Sequence, residues 1–401
     1  MTSITEGEMI EEATDRKHVF LVDGSGFIFR AFHALPPMSR DDGTPTNAVF
    51  GFTNMLIKLI EDLKADHCAI IFDTARKTFR NDVYKEYKAN RPPPPDELIP
   101  QFELIREAVR AFDIACIEME GYEADDLIAT YTRLAREQDA DVTIVSSDKD
   151  LMQLVGPNIK MFDPMKSKDI GVEDVIEKFG VGPQHVIDVQ ALAGDTSDNV
   201  PGVPGIGIKT AAQLINEFGD LESLLERASE IKQPKRRDNL IDHAEMARIS
   251  KILVTLKQDV DVSQPLSKLT LEKPDPLKVL KFLRAQGFKR LISRFEAEAQ
   301  QEFGDKLSLS IPTNKTEKKY ELIDDVKSLN EWVGLIEKNG LVAFDTETDS
   351  LNASQANLIG MSLAVSVGRA CYIPLRHETG GDQTELLEKS RLEAKQIEFA
   401  A

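Results

Sequence analysis

The chain has 401 residues, 41% of them hydrophobic, and a formal net charge of −19. That length predicts two or three domains with real cores, and no run of residues is long and apolar enough to span a membrane. Cys68, Cys116 and Cys371 sit in or beside apolar strands with no neighbouring His or Cys, which excludes a zinc site and points to core thiols in a cytoplasmic protein.

Residues 1–18 are polar and mostly acidic, without the basic start and apolar stretch of a signal peptide, and are expected to be a disordered tail. Short apolar runs then predict strands at 19–22, 68–72, 114–118 and 142–146. Helical patterns at 46–64, 97–111 and 124–138 lie between them. This alternation is an α/β fold with right-handed crossovers and a mostly parallel sheet. From about 172 to 295 the pattern is helical, with amphipathic segments at 172–179, 184–193, 209–218 and 277–286. The stretch 296–318 is expected to be a linker, and strands near 341–346, 358–365 and 370–374 open another α/β domain at 319–401. The boundaries that follow are a catalytic domain at 19–190 and a helical region at 191–295.

Three of the apolar runs lead to aspartates: Asp23, Asp73 and, past Val145, Asp148. Buried parallel strands end on one sheet edge, where ligands bind, so these acids converge. Glu123-Ala124-Asp125-Asp126, Asp148-Lys149-Asp150 and Asp195-Thr196-Ser197-Asp198 bring the candidate carboxylates to nine. Singly, each has a simpler role as a turn former, a helix cap or a charge at a helix N-terminus. Together they would repel one another unless divalent cations were present. An all-oxygen donor set suits magnesium or manganese, and two such ions are the apparatus of phosphodiester hydrolysis.

The acidic total does not exclude a nucleic-acid partner, because a metal pocket concentrates acids and binding depends on local charge. Between Arg76 and Arg91 six basic residues (Arg76, Lys77, Arg80, Lys85, Lys88, Arg91) face only two acids, Asp82 and Glu86, with Phe79, Tyr84 and Tyr87 interleaved, a pattern suited to phosphate contact beside base stacking. A second cluster, Lys232, Lys235, Arg236 and Arg237, reads more simply as a solvated helical face. Pro92 to Pro95 form a stiff connector. Gly202-Val203-Pro204-Gly205-Ile206-Gly207-Ile208-Lys209-Thr210 lacks the spacing of a nucleotide-binding P-loop. It reads as a helix-hairpin-helix, whose backbone amides and helix N-terminus grip phosphates without regard to sequence.

Taken in order, Leu-Val-Asp-Gly-Ser at 21–25, Phe-Asp at 72–73, Glu-Ala-Asp-Asp at 123–126, Ser-Asp-Lys-Asp at 147–150 and the run from Gly194 to Gly207 resemble the 5′ nuclease (flap endonuclease-like, PIN-related) family found at the front of bacterial polymerase I proteins. The resemblance covers 19 to about 295. It implies that Asp23, Asp73, Glu123, Asp125, Asp126, Asp148, Asp150, Asp195 and Asp198 bind metals. It also implies that Tyr87, Lys88 and Arg91 form a gateway acting on the scissile phosphate, with Arg30 and Arg80 as phosphate contacts. Gly202, Val203, Gly205, Gly207, Lys209 and Thr210 would hold the downstream DNA duplex, with a potassium ion on the hairpin carbonyls. Ser147, where glycine is frequent, and Ile208, where a polar residue is, depart from the pattern.

Phe344-Asp345-Thr346-Glu347 is similar to the first motif of the RNase H-like proofreading exonucleases, Asp345 and Glu347 being a metal pair on one face of a buried strand. With later ligands and a polymerase domain not in the chain, proofreading and polymerisation are expected to be absent. The expected activity is metal-dependent cleavage of DNA flaps, nicks and primer RNA by a monomer. Alternatives are an inactive or DNA-binding fragment of a split or truncated polymerase, with a separate polymerase chain as partner, and a PIN-type ribonuclease, which would lack the hairpin.

Overall fold

A computed structural model describes residues 16–62, 65–74, 77–303, 319–350, 352 and 355–376. Most of the expected tail, Arg76, most of the expected linker and the chain beyond 376 lie outside the described residues. The chain divides into two compact units, ending and beginning at Gly304 and Asp305.

The first unit opens with β1 (His18–Asp23), α1 (Gly24–Ala34), α2 (Asn47–Asp62), β2 (His67–Ile71), α3 (Phe79–Val83), α4 (Gln101–Ala111), β3 (Ala115–Ile117), α5 (Ala124–Glu137) and β4 (Asp141–Val145). A hairpin of β5 (Ile159–Asp163) and β6 (Lys168–Ile170) completes a six-stranded sheet of order β3-β2-β1-β4-β5-β6. All pairings are parallel except β5 with β6. The chain runs from β1 outward to β3 and returns on the other side of β1 as β4. The C-terminal ends of β2, β1 and β4 therefore flank the point where strand order reverses, the usual crevice of such sheets. The register puts Asp23 opposite Ile71 and Val22 opposite Val145, so Asp23, Asp73 and Asp148 all leave the same edge.

Helix α1 and the β5-β6 hairpin are among the elements that were not anticipated. Helix α1 starts on Gly24 and contains Gly26, both poor helix formers. It is nucleated by the Asp23 side chain, which accepts from the Gly26 amide, and held by burial of Phe27 and Ile28. Gly24 is required there, because a Cβ would lie 2.4 Å from the Phe72 ring. The β5-β6 hairpin is too short to stand out by periodicity.

The helical part comprises α6 (Val172–Phe179), α7 (Val186–Ala193), α8 (Ile208–Phe218), α9 (Leu221–Glu226), α10 (Pro234–Asp242), α11 (Ala244–Val254), α12 (Pro276–Gln286) and α13 (Lys289–Phe303). Helix α13 runs past 296, where a linker was expected, because Phe295 and Ala299, one turn apart, are both buried. The division drawn at residue 190 is not a break in packing. Leu151 and Met161 from the sheet side share one core with Val189, Leu192, Leu214 and Ile215.

The second unit holds β7 (Lys319–Leu322), α14 (Val326–Asn339), β8 (Ala343–Thr348), β9 (Leu358–Ser366) and β10 (Arg369–Pro374), with sheet order β7-β10-β9-β8. Trp332 of α14 is buried against Ile323, Cys371 and Ile373 and donates from Nε1 to Glu321 at 2.9 Å. Strand β8 is an edge strand exposed along its whole length, not the buried strand expected. Among the described residues it pairs only with β9 and nothing covers its apolar side chains, Phe344 included. Asp345 and Glu347, two residues apart, do share one face. No helix among the described residues is long and apolar enough to cross a membrane.

Candidate active site

The sheet edge places its acids through short local contacts. Asp23 caps α1 and accepts from Ser146 Oγ at 2.9 Å, while the same oxygen of Ser146 accepts from the Asp148 amide at 3.0 Å. Asp73 accepts from the Ala124 amide at 2.8 Å, which draws the N-terminus of α5, with Glu123 and Asp125, over the strand ends. Arg106 braces this corner by donating to the Asp73 carbonyl at 2.9 Å with its guanidinium over the Phe72 ring. Asp148 Oδ1 accepts from the Asp150 amide at 2.9 Å.

A second group of acids arrives from the loop between α7 and α8. Asp195 pairs with Lys149 and accepts from the Ser197 amide at 2.8 Å. Asp198 takes Arg91, with Lys88 Nζ at 3.5 Å. This loop is stitched to the gateway segment by the Lys88 amide donating to the Asp198 carbonyl at 2.9 Å, Asn90 to the Thr196 carbonyl at 2.9 Å and Asn199 to the Glu86 carbonyl at 2.6 Å. Lys88 stands in the left-handed region with φ +55°, a conformation a lysine adopts only where surrounding contacts enforce it. Its Nζ reaches Glu123 at 2.8 Å and Tyr87 donates to the other Glu123 oxygen at 3.1 Å. Gateway and carboxylates are thus one assembly.

The geometry corrects two assignments at once. Arg80, buried to 1% exposure, makes a bidentate pair with the wholly buried Asp126 at 2.7 and 2.8 Å and donates to the carbonyls of Leu253 and Thr255. Asp126 also accepts from the amides of Glu123 and Lys257. Both its oxygens are committed, so it does not serve as a metal ligand, and Arg80 is too deep to touch a phosphate. Sequence alone had no means to tell the inward basic and acidic residues of these motifs from the outward ones.

Lys88 and Glu123 border a cleft of about 830 Å³ also lined by Lys77, Lys85, Arg91 and Phe102. Arg30 is exposed on α1, beside Asp23 and Ser146. In the hairpin, Gly205, Gly207 and Lys209 are exposed and Thr210 is half-buried at the start of α8. The amides of Gly205 and Gly207 have no internal partner among the described residues. Gly202 and Val203 are instead packing positions. The Gly202 amide donates to Ser250, that of Val203 to the Leu192 carbonyl, and a Cβ on Gly202 would lie 2.4 Å from the Gly194 nitrogen.

Crowding of like charge is plain. Burial pushes the Asp23 carboxyl up to about 6, helped by the charges of Asp73 and Asp148 and opposed by the bonds from Gly26 and Ser146. Burial and the neighbouring Asp148 push Asp150 up to about 7. Asp125 is raised well above the usual range by burial, Asp148 and Asp23. Asp195, in contrast, is held low, the Lys149 and Ser197 bonds outweighing its burial. Burial would lower the Lys88 ammonium, but Glu123, Tyr87 and Asp198 outweigh it. Among the described residues no three acids close on a single point at ligating distance. The donor set is all oxygen, and its inner members resist ionising together, so it fits hard divalent cations. Ser146, Lys149 and Arg106 were not singled out from sequence; the only signal was their place at a strand end or beside an acid.

Residues 18–180 match the family model described as 5'-3' exonuclease, N-terminal resolvase-like domain, and 181–277 that described as 5'-3' exonuclease, C-terminal SAM fold. Residues 320–398 match a 3'-5' exonuclease model. A DNA polymerase I of Rhizobium leguminosarum is 47% identical over 90% of this chain and 44% of its own length, so the chain spans less than half of that relative. The T5 5'-exonuclease with zinc ions bound is 22% identical, covers 71% of this chain and 99% of its own, and superposes with a TM-score of 0.52, a likeness of fold. A 5'-3' exonuclease of Aquifex aeolicus is 37% identical over 70% of this chain and 96% of its own length. With a relative matched nearly end to end, and family models spanning the carboxylate edge, the gateway and the hairpin, the chain belongs to the 5'-3' exonuclease family.

Proposed function

We propose that this chain is a structure-specific 5′ nuclease that hydrolyses the phosphodiesters of DNA flaps and nicks and of primer RNA, releasing short 5′ products. The observation that carries this is the position of Lys88. It joins the acids Glu123 and Asp198 to a cleft lined by basic and aromatic side chains, the residue types that suit a single strand. Asp23, Asp73, Glu123, Asp125, Asp148, Asp150, Asp195 and Asp198 would hold divalent ions, magnesium or manganese. When bound, such ions supply a water acidic enough to attack at neutral pH and stabilise charge on the leaving oxygen.

The chain's own residues do the rest. Lys88 and Arg91 exchange their carboxylate partners for the oxygens of the reacting phosphate, which the cleft delivers. Tyr87 holds Glu123 in place by its hydroxyl. The exposed amides of Gly205 and Gly207, with Lys209 and Thr210, hold the duplex backbone at the start of α8, and hairpin carbonyls would be the ligands of a potassium ion. Arg30 meets a phosphate beside Asp23. Incubating the purified chain with a 5′-labelled flap duplex, with and without magnesium, tests this. Magnesium-dependent release of short labelled products is expected, and a flap left intact would overturn it.

A further inference from the structure

Helix α10 carries a cluster that the active site does not use. Lys232 and Lys235 are exposed and Arg236 is half-buried. In a chain of net charge −19 these three have no acidic partner among the described residues, whereas Arg237 is paired with Asp238 at 3.1 Å. Asn239 on the same helix donates to the Pro204 carbonyl at 2.7 Å, docking α10 on the tip of the hairpin. Lys235 and Arg236 lie four and three residues before Asn239, on the helix face that meets the hairpin, and Lys232 lies two residues before the helix begins at Pro234. Arg237 is off that stripe. Of the unpaired basic residues, Lys235 and Arg236 therefore share the helix face of Asn239, which bonds to the hairpin, and the paired Arg237 does not.

We propose that α10 is a second phosphate-binding face, which extends the hairpin's grip further along the DNA duplex. This rests on the reading that the hairpin holds duplex DNA. A solvated face would require no such register with Asn239, and its charges would add nothing beyond the general field. Each lysine or arginine that neutralises a phosphate releases condensed counterions, so the face should be visible in the salt dependence of binding.

The experiment compares the full chain with three variants: Lys232→Gln/Lys235→Gln/Arg236→Gln, the hairpin variant Lys209→Ala, and a charge-matched control, Lys268→Gln/Lys281→Gln/Lys289→Gln, made at exposed lysines elsewhere. Fluorescence anisotropy on a flap duplex without divalent ions reads affinity across a salt series, and circular dichroism confirms folding. The α10 variant is expected to bind about tenfold or more weakly and to lose about 2 to 3 from the slope of log affinity against log salt. Its single-turnover cleavage at saturating enzyme should be unchanged. An affinity and slope equal to those of the parent chain, or a loss no greater than the control's, would overturn the proposal while leaving the nuclease reading intact. Failure of the parent chain to bind duplex at all would instead remove the reading on which it rests. Should the triple variant misfold, Lys235→Gln alone, with an expected slope change of about 1, carries the same test.

Discussion

Arg80 and Asp126 face each other as a two-toothed ion pair sealed from water, and between them they also hold the backbone of Glu123, Leu253, Thr255 and Lys257. Removing one partner leaves the other charged and buried. Arg80→Ala or Asp126→Asn is therefore expected to cost about 3 to 5 kcal/mol of stability, measured by denaturant unfolding. Replacing both by apolar residues of similar size should cost much less than either single change. A single variant as stable as the parent chain, yet inactive in magnesium, would return Asp126 to the list of metal ligands.

Asp23 and Ser146 separate a ligand from its support. Asp23→Asn should abolish magnesium-dependent flap cleavage while leaving flap binding largely intact, since the hairpin that would hold the duplex is a separate contact. Ser146→Ala, which removes the hydroxyl that orients Asp23, should slow cleavage by about 10- to 100-fold, with partial recovery at higher magnesium. Wild-type turnover in Asp23→Asn would sink the assignment of this edge.

The gateway and the hairpin should fail in different ways. Lys88→Ala is expected to lower the rate by about 10²- to 10³-fold with little change in duplex affinity, because its ammonium acts on the reacting phosphate. Lys209→Ala should weaken binding to all sequences alike and lower the salt slope by about 1. Equal losses of affinity in both, with cleavage rate unaffected, would contradict this division.

Stability should depend on pH in a direction fixed by the inner acids. Asp23 and Asp150 have folded values of about 6 and about 7 against an ordinary 3.8, so the fold binds their protons more tightly than the unfolded chain does. That contribution is complete below the ordinary value and is lost as pH climbs through the folded ones. In the metal-free protein the melting temperature should fall between about pH 4 and pH 7, and Asp23→Asn or Asp150→Asn should flatten the fall. Magnesium should raise the melting temperature more at the upper end than at the lower. Scanning calorimetry across that range would show it; a magnesium effect larger at low pH would refute the crowding of charge.

Strands β1, β2 and β4 were legible because an unbroken β-branched run is buried on both faces, and their parallel pairing then fixed where Asp23, Asp73 and Asp148 emerge. Helix α1 was not legible, since it opens on Gly24, a poor helix former whose place is required by the close Phe72 ring. The same limit applied at Arg80, Asp126, Gly202 and Val203. Motif spacing shows that these residues sit beside the chemistry, but only the packing of α11 on the gateway and of Gly202 on Gly194 shows which way they point. Strand β8 erred for the opposite reason. An apolar run predicts burial only if something covers it, and among the described residues nothing covers Phe344.

The bonds that tie Asn90 to Thr196 and Asn199 to Glu86 span 106 and 113 residues of chain. Contacts so distant in sequence close late in folding, because a long loop must surrender its entropy before they form. A chain emerging from the ribosome with its sheet already built would still lack Asp195 and Asp198, and Lys88 would have no reason to hold its strained backbone. If the chain cuts DNA as proposed, a form in which the 194–207 loop has not docked would hold neither Asp195 nor Asp198 and would not cut before the hairpin that follows them is in place.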